Sequence, residues 1–391
     1  MKKKILTTAI LASIAGAAHA QSSVTLYGLI DAGISYVSNV KTATGSSHAF
    51  QYGDGVASGS RWGLRGSEDL GGGLKAIFVL ESGFNSGNGT SGQGGALFGR
   101  QAFVGLTKDN IGSITLGRQY SLSTDVLGSN YSTGGNTAAG NYAYHVNDVD
   151  QLTSSRINNS VKFQSANFAG LTFGALYGFS NTAGAFAGSP GTGATLTGGS
   201  SRTYSFGANY AYGPFSVGAA YTDITYPGQV TPAFSTSLAN FATAAGTGNQ
   251  IRELRTFGVG GRYVVGPATL WALWTNTLFS PVIGSSTLYN AYEVGGKYAV
   301  TSALSGALGY TYSRASGLAN GHWNQVNAAI DYALSKRTDV YLLGIYQEAS
   351  GSANGTPLQA QIGSSASSFF QPSGTGSDNQ VAVRVGIRHK F

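Results

Sequence analysis

Polar and apolar positions alternate singly along most of this chain, in strand-length runs separated by clusters of Gly, Ser, Thr, Asn and Pro. The last run shows it most clearly. Val381, Val383, Val385 and Ile387 share one parity, Arg384, Arg388 and Lys390 the other, and Phe391 ends the chain. A period of two sends successive side chains to opposite faces of a β-strand, so this segment has one face for a greasy medium and one for water. The pattern recurs. Leu304, Leu308, Tyr310 and Tyr312 oppose Ser305, Ala307, Thr311 and Ser313, while Val326, Ala328, Ile330, Tyr332 and Leu334 oppose Gln325, Asn327 and Asp331. Ile157, Asn159, Val161 and Phe163 likewise oppose Arg156, Asn158, Ser160 and Lys162. A soluble sandwich packs its apolar faces together, and this many strands would need two domains and a boundary. No linker divides the chain.

The connections alternate between short and long. Short ones fall at 69–73, 108–112, 167–170, 212–214, 265–267, 299–302 and 334–337, most with the Gly, Pro, Asn or Ser that tight turns need. Long ones centre on 39–57, 86–95, 122–155, 181–200, 225–250, 279–287, 316–321 and 350–379. Seven short turns and eight long loops require 16 strands, with both chain ends on the short-turn side. The expected fold is all-β, a 16-stranded antiparallel transmembrane β-barrel, whose closure leaves no unpaired edge in lipid. A barrel of this size is too wide for side chains to fill. The longest connection, 122–155, is the segment expected to fold inward and narrow the lumen.

The ends and the composition agree. Lys2, Lys3 and Lys4 precede an apolar run from Ile5 to Ala15, and Ala18-His19-Ala20 supplies a cleavage site, so residues 1–20 read as a secretory signal peptide and 21–391 as one barrel domain. No later segment has the uninterrupted apolar length of a helical span. Export without a single Cys leaves stability to backbone pairing and packing. Gly at 59 of 391 residues, 22 Tyr and 19 Phe, with only 10% charged residues, suit curved strands and aromatic girdles better than a soluble α/β enzyme. Without the three leader lysines, 20 Lys and Arg face 16 Asp and Glu, a net charge of +4 with no basic run, which gives no sign of nucleic acid.

Several segments together resemble the general diffusion porins of Gram-negative outer membranes, in particular their β-proteobacterial branch. They are S-S-V-T-L-Y-G (22–28), S-R-W-G-L-R-G-S-E-D-L-G-G-G-L-K-A-I-F (60–78), F-G-R-Q-A-F-V-G-L (98–106), L-G-R-Q-Y (116–120), R-I-N-N-S-V-K-F (156–163), F-A-G-L-T-F (168–173) and the terminal Phe391. The resemblance spans the mature chain. It implies a homotrimer in the outer membrane, among lipid and lipopolysaccharide, in which each subunit has its own pore and the third external loop enters it. It further implies an arginine cluster on the pore wall, carried here by Arg61, Arg100 and Arg156. Parity supports Arg61, which shares a face with Arg65, and Arg156, which shares one with Lys162. It does not settle Arg100, whose parity partners are Ala102, Val104 and Leu106.

Arg118 falls on the apolar parity with Ile114 and Leu116. An arginine facing lipid at mid-depth costs about 2–4 kcal/mol, so it is expected near an interface or at a subunit contact with an acidic partner. An inward turn at a strand-end bulge is the alternative. The inward loop carries no acid across 129–136, while Asp125 precedes that stretch and Asp148 and Asp150 follow it. Unpaired arginines in a confined pore set charge selectivity, so anion preference is expected unless those three aspartates reach the cluster. Arg384, Arg388, Lys162 and Lys297 could extend a positive ladder through the lumen, or lie near the rims as solvated charges. The alternative is a substrate-specific channel for a sugar or an anionic solute, with a basic track for the latter; Tyr120, Tyr131, Tyr142 and Tyr144 could form an aromatic track for a sugar, or pack the loop against the wall. A barrel enzyme would need an activated nucleophile. His145 lies near Asn147, Asp148 and Asp150 but without a nucleophile-elbow signature, and reads as a solvated loop histidine. The N-D-x-D around it falls short of a calcium loop, and neither cofactor nor energy coupling is implied. The expected function is passive diffusion of small hydrophilic solutes and inorganic ions.

Overall fold

A computed structural model describes residues 23–42, 44–153, 155–190, 200–226, 251–282, 284–317, 319–353, 355–363 and 376–391. The proposed leader, residues 1–20, lies outside the described residues, as do parts of the long connections at 181–200, 225–250 and 350–379. Among the described residues no helix is long and apolar enough to cross a membrane.

The wall is a closed antiparallel sheet. It opens with Ser23–Thr42, whose two ends pair with different partners on the same side. Ala32–Thr42 pairs with Gly45–Asp54, and Ser23–Leu29 pairs with Arg61–Gly71. These two segments form one interrupted strand. The wall continues through Leu74–Gly83, Gln101–Lys108, Gly112–Tyr120, Arg156–Ser165, Leu171–Gly178, Arg202–Tyr212 and Phe215–Thr225. It is completed by Ile251–Val265, Ala268–Pro281, Thr287–Ala299, Leu304–Gly317, Ala319–Ala333, Thr338–Ala353 and Asn379–Lys390. Each strand pairs with its successor, and the last closes on the first from Leu29↔Lys390 to Val37↔Ala382. Counting the interrupted strand once gives the 16 that the turns require.

All seven short turns fall where the sequence places them. One of them, between Asp69 and Leu74, runs through Gly71, Gly72 and Gly73 with φ of 88°, 59° and 77°, a left-handed path that side chains with a Cβ resist. At the seam, Phe391 and Gly28 exchange backbone hydrogen bonds of 3.0 Å, so the terminal residue is tied into the wall.

Side chains sort by face as the alternation demands. Val383, Val385 and Ile387 are exposed on the outside, as are Val326, Ile330, Leu308, Val104 and Leu116. An outer belt this apolar is the surface a bilayer wets. The polar face points inward, with Gln325, Asn327, Thr311 and Ser313 buried. One strand departs from strict alternation. Asn159 takes a positive φ of 50°, and Ile157, expected on the lipid face, is buried in an internal cluster that includes Leu122 and Leu176.

The connection 121–155 folds into the barrel. It contains a π-helical turn Ser123–Gly128, short helical turns Ser129–Tyr131 and Thr133–Asn136, and 3-10 turns Gly140–Tyr142 and Val146–Asp148. Leu122, Leu127, Tyr131, Val149 and Leu152 of this loop are buried, giving the barrel a core on one side of its lumen. The far wall receives them through glycines. A Cβ at Gly258 would stand 2.6 Å from Leu127 Cδ1, and one at Gly218 would stand 2.7 Å from Tyr131 Cε2. Polar ties complete the seat. The Leu122 N–H donates to Ser205 Oγ at 3.0 Å, and Ser123 Oγ lies 2.7 Å from Thr222 Oγ1.

Candidate functional site

Between the inward loop and the opposite wall lies a cavity of ≈ 1190 Å³. Arg61, Arg100, Arg118, Arg156, Arg388 and Lys390 line it as cations, against Asp54, Glu81 and Asp125 as acids. The loop contributes small polar positions, including Ser129, Gly134, Gly135, Thr137 and Asn141. One side of the passage is therefore cationic and the other nearly uncharged.

Three of the arginines surround Tyr120 or Glu81. The guanidinium carbons of Arg156 and Arg100 lie 5.0 Å and 6.0 Å from the Tyr120 ring centre, and Arg156 Nε donates to the Tyr120 hydroxyl at 3.2 Å. Arg100 Nε donates to Glu81 Oε1 at 2.7 Å, and Arg61 Nε stands 4.0 Å from Glu81 Oε2. Tyr27 also donates to Glu81 at 3.0 Å. Arg100 precedes the strand Gln101–Lys108, so the outward parity of Ala102 and Val104 does not govern it. Sequence reasoning missed Glu81; its one signal is that it shares the parity of Lys75 in its strand. Arg65 is exposed, its guanidinium carbon 5.2 Å from the Tyr27 ring centre. It is not among the residues lining the cavity.

Arg118 makes the inward turn at a bulge. A register shift between Gly117 and Gln119 brings its guanidinium to the cavity lining. There Nε donates to the Gly99 carbonyl at 2.8 Å and the terminal nitrogen to Asn158 Oδ1.

Four other expectations need correction. Arg384 does face inward, but it is fully buried and does not line the pore. Its guanidinium lies 3.7 Å from Asp31 and donates to Tyr341, Ser35 and the Gly53 carbonyl. Lys162 is not a free pore charge either, since it pairs with Asp125 and donates to the Tyr120 carbonyl at 3.0 Å. Tyr131 is fully buried against the far wall, with its hydroxyl on Asn209, and cannot touch a passing solute. His145 is not solvated. It is completely buried, with Nδ1 2.5 Å from Asp150 Oδ2 and Nε2 3.0 Å from Glu293 Oε2. Burial opposes its charge, but the Asp150 and Glu293 carboxylates outweigh that and raise its pKa to about 10. Arg388 lines the cavity as expected, tempered by Asp339 at 3.0 Å and Asp331 at 3.8 Å.

The loop aspartates are thus committed elsewhere. Asp125 is held by Lys162, Asp150 by His145 and Thr275, and the buried Asp148 accepts from the Thr153 N–H. Of the three acids in the cavity lining, Glu81 pairs with the arginines, Asp125 with Lys162, and Asp54 accepts from Ser60 Oγ and the Ser86 N–H. Among the described residues no group of three or more His, Asp or Glu side chains is arranged to hold a metal ion.

A closed 16-stranded barrel with an inserted loop and an arginine-lined passage defines an outer-membrane channel. The chain belongs to the Gram-negative porin family, whose model matches residues 7–352. It is 34% identical to an outer membrane porin protein of Bordetella pertussis, and 32% identical to outer membrane porin protein 32 of Delftia acidovorans. Both alignments cover all of this chain and all of the relative. Among solved structures, the anion-selective porin from Comamonas acidovorans matches with a TM-score of 0.73 at 26% identity, over 95% of this chain and 100% of that one. The protein is an outer-membrane porin.

Proposed function

We propose that this porin passes small hydrophilic solutes by passive diffusion with a preference for anions, that it works as a homotrimer among lipid and lipopolysaccharide, and that residues 1–20 direct its export. The observation that carries the preference is the cluster of Arg61, Arg100, Arg118 and Arg156, which outnumbers the three acids of the cavity lining, Asp54, Glu81 and Asp125, and of these pairs with Glu81. In a narrow aqueous passage with low-dielectric walls, one sign of charge raises the local concentration of counter-ions and repels co-ions. The similar porin from Comamonas acidovorans is anion-selective, which supports the same sign. No single observation favours a sugar track, because Tyr131 and Tyr142 are fully buried.

Reversal potential in a planar bilayer under a KCl gradient tests the reading. Wild type is expected to favour chloride. Arg156→Ala is expected to bring the permeability ratio toward unity without closing the pore. Cation preference in wild type would overturn the proposal. Mobility on gels before and after heating, with cross-linking, tests the trimer.

A further inference from the structure

The loop is held to the wall by a buried polar cluster that contains none of the arginines. Glu293, from the strand Thr287–Ala299, is its hub. One carboxylate oxygen accepts from Thr133 Oγ1 at 2.8 Å, from Trp271 Nε1 at 3.1 Å and from the Thr133 backbone N–H. The other meets His145 Nε2 at 3.0 Å. On the far side of the imidazole, Asp150 Oδ2 lies 2.5 Å from Nδ1 and also accepts from Thr275 Oγ1 at 2.6 Å. The wall therefore grips the loop at Thr133 and again at His145 and Asp150. Between those grips lie Gly134, Gly135, Thr137, Gly140, Asn141 and Tyr144, all of which line the passage.

We propose that Glu293, His145 and Asp150 form a carboxylate–imidazolium–carboxylate latch that positions the inserted loop and so sets the open width of the pore, and that alkaline release of this latch is built into the channel. The inference rests on the reading of this loop as the narrow part of a diffusion pore.

The chemistry requires a charged ring. Both ring nitrogens face carboxylate oxygens, and only the doubly protonated imidazole donates from both. The ring and both acids are buried, so the cation is what makes the two carboxylates tolerable away from water. The sign of the pH effect follows. In a released loop the imidazole returns toward its ordinary value of 6.5, whereas in the latch it stands at about 10. A raised value means that the latch contributes fully below the lower figure and weakens above it. The contribution is lost as pH rises through the upper figure. The other titratable groups around the triad are Tyr144 and Asp148 on the loop and Tyr289 on the wall.

Single-channel recording of the full-length protein in planar bilayers tests this, with conductance and open-channel noise followed from neutral pH to above the His145 value. Unheated gel mobility monitors barrel integrity. Wild type is expected to be quiet at neutral pH and to show a step in noise and conductance in the alkaline range. Glu293→Gln, which keeps an acceptor but removes one charge, should shift that step to lower pH. His145→Ala leaves two carboxylates facing each other, so it should be noisy at neutral pH and lose the step. The uncharged combination His145→Gln, Asp150→Asn and Glu293→Gln should be quiet and flat throughout. A folded His145→Ala channel with wild-type noise would overturn the latch, as would an alkaline step that persists unchanged in Glu293→Gln. If Arg156→Ala still alters selectivity in that case, the pore reading stands and only the latch falls.

Discussion

Arg384 shows what a single residue discloses from its neighbours in sequence and what it withholds. Alternation along 381–391 places it on the inner face, and it is there. Whether it is a pore charge depends on Asp31, Ser35 and Tyr341, which stand beside it because the first and the last two strands adjoin at the barrel seam. Asp31 is itself fully buried, accepting from the Tyr341 hydroxyl at 2.5 Å and from the Ser58 N–H at 2.8 Å. Removing one partner of such a pair leaves an uncompensated charge in a dry site. Asp31→Ala is therefore expected to destabilise the barrel by about 3–5 kcal/mol, while Asp31→Leu with Arg384→Met recovers most of the loss. Denaturant unfolding followed by tryptophan fluorescence measures both. His145 makes the same point. Its loop position is plain from the sequence, but its burial comes from Glu293, 148 residues further along the chain.

At the level of elements, alternation and turn chemistry determine the wall almost completely, because lipid on one side and water on the other penalise every misplaced side chain. They fail where the backbone changes register. The shift between Gly117 and Gln119 turns Arg118 to the lumen, and the positive φ at Asn159 lets Ile157 inside. Neither site carries a Pro or a paired Gly motif that would announce it. The abundance of glycine is visible in the composition and fits strand curvature, but some glycines have a second task. Gly207, Gly218, Gly258 and Gly260 leave room for Leu122, Leu127 and Tyr131 of the inserted loop. Gly258→Leu is expected to push Leu127 and its loop toward the arginine wall, at an overpacking cost of about 1–3 kcal/mol. The measurable result is lower single-channel conductance in a barrel that still migrates as folded before heating. Unchanged conductance would show that the loop can take up the extra side chain without moving.

For the whole molecule, the charge balance of the passage decides what crosses. Arginines at 61, 100 and 156 are apparent from motif and, in part, parity, so the sign of the field is readable in advance. Its strength is not, since that depends on which acids pair with the arginines, and the three candidate aspartates have other partners, although Asp125 stays in the cavity lining. Glu81 is the one that arrives, placed by its strand beside Arg100. Glu81→Gln preserves the polar shape but removes the carboxylate paired with the arginine cluster, so the anion-to-cation permeability ratio should rise above that of wild type. This effect is electrostatic and must be screened. The Debye length falls from about 10 Å at 0.1 M salt to about 3 Å at 1 M. The gap between Glu81→Gln and wild type is therefore expected to be wide in dilute KCl and to narrow in concentrated KCl. A gap that ignored salt would mean that Glu81 acts by holding Arg100 in place, so that its loss changes the pore's shape rather than its field.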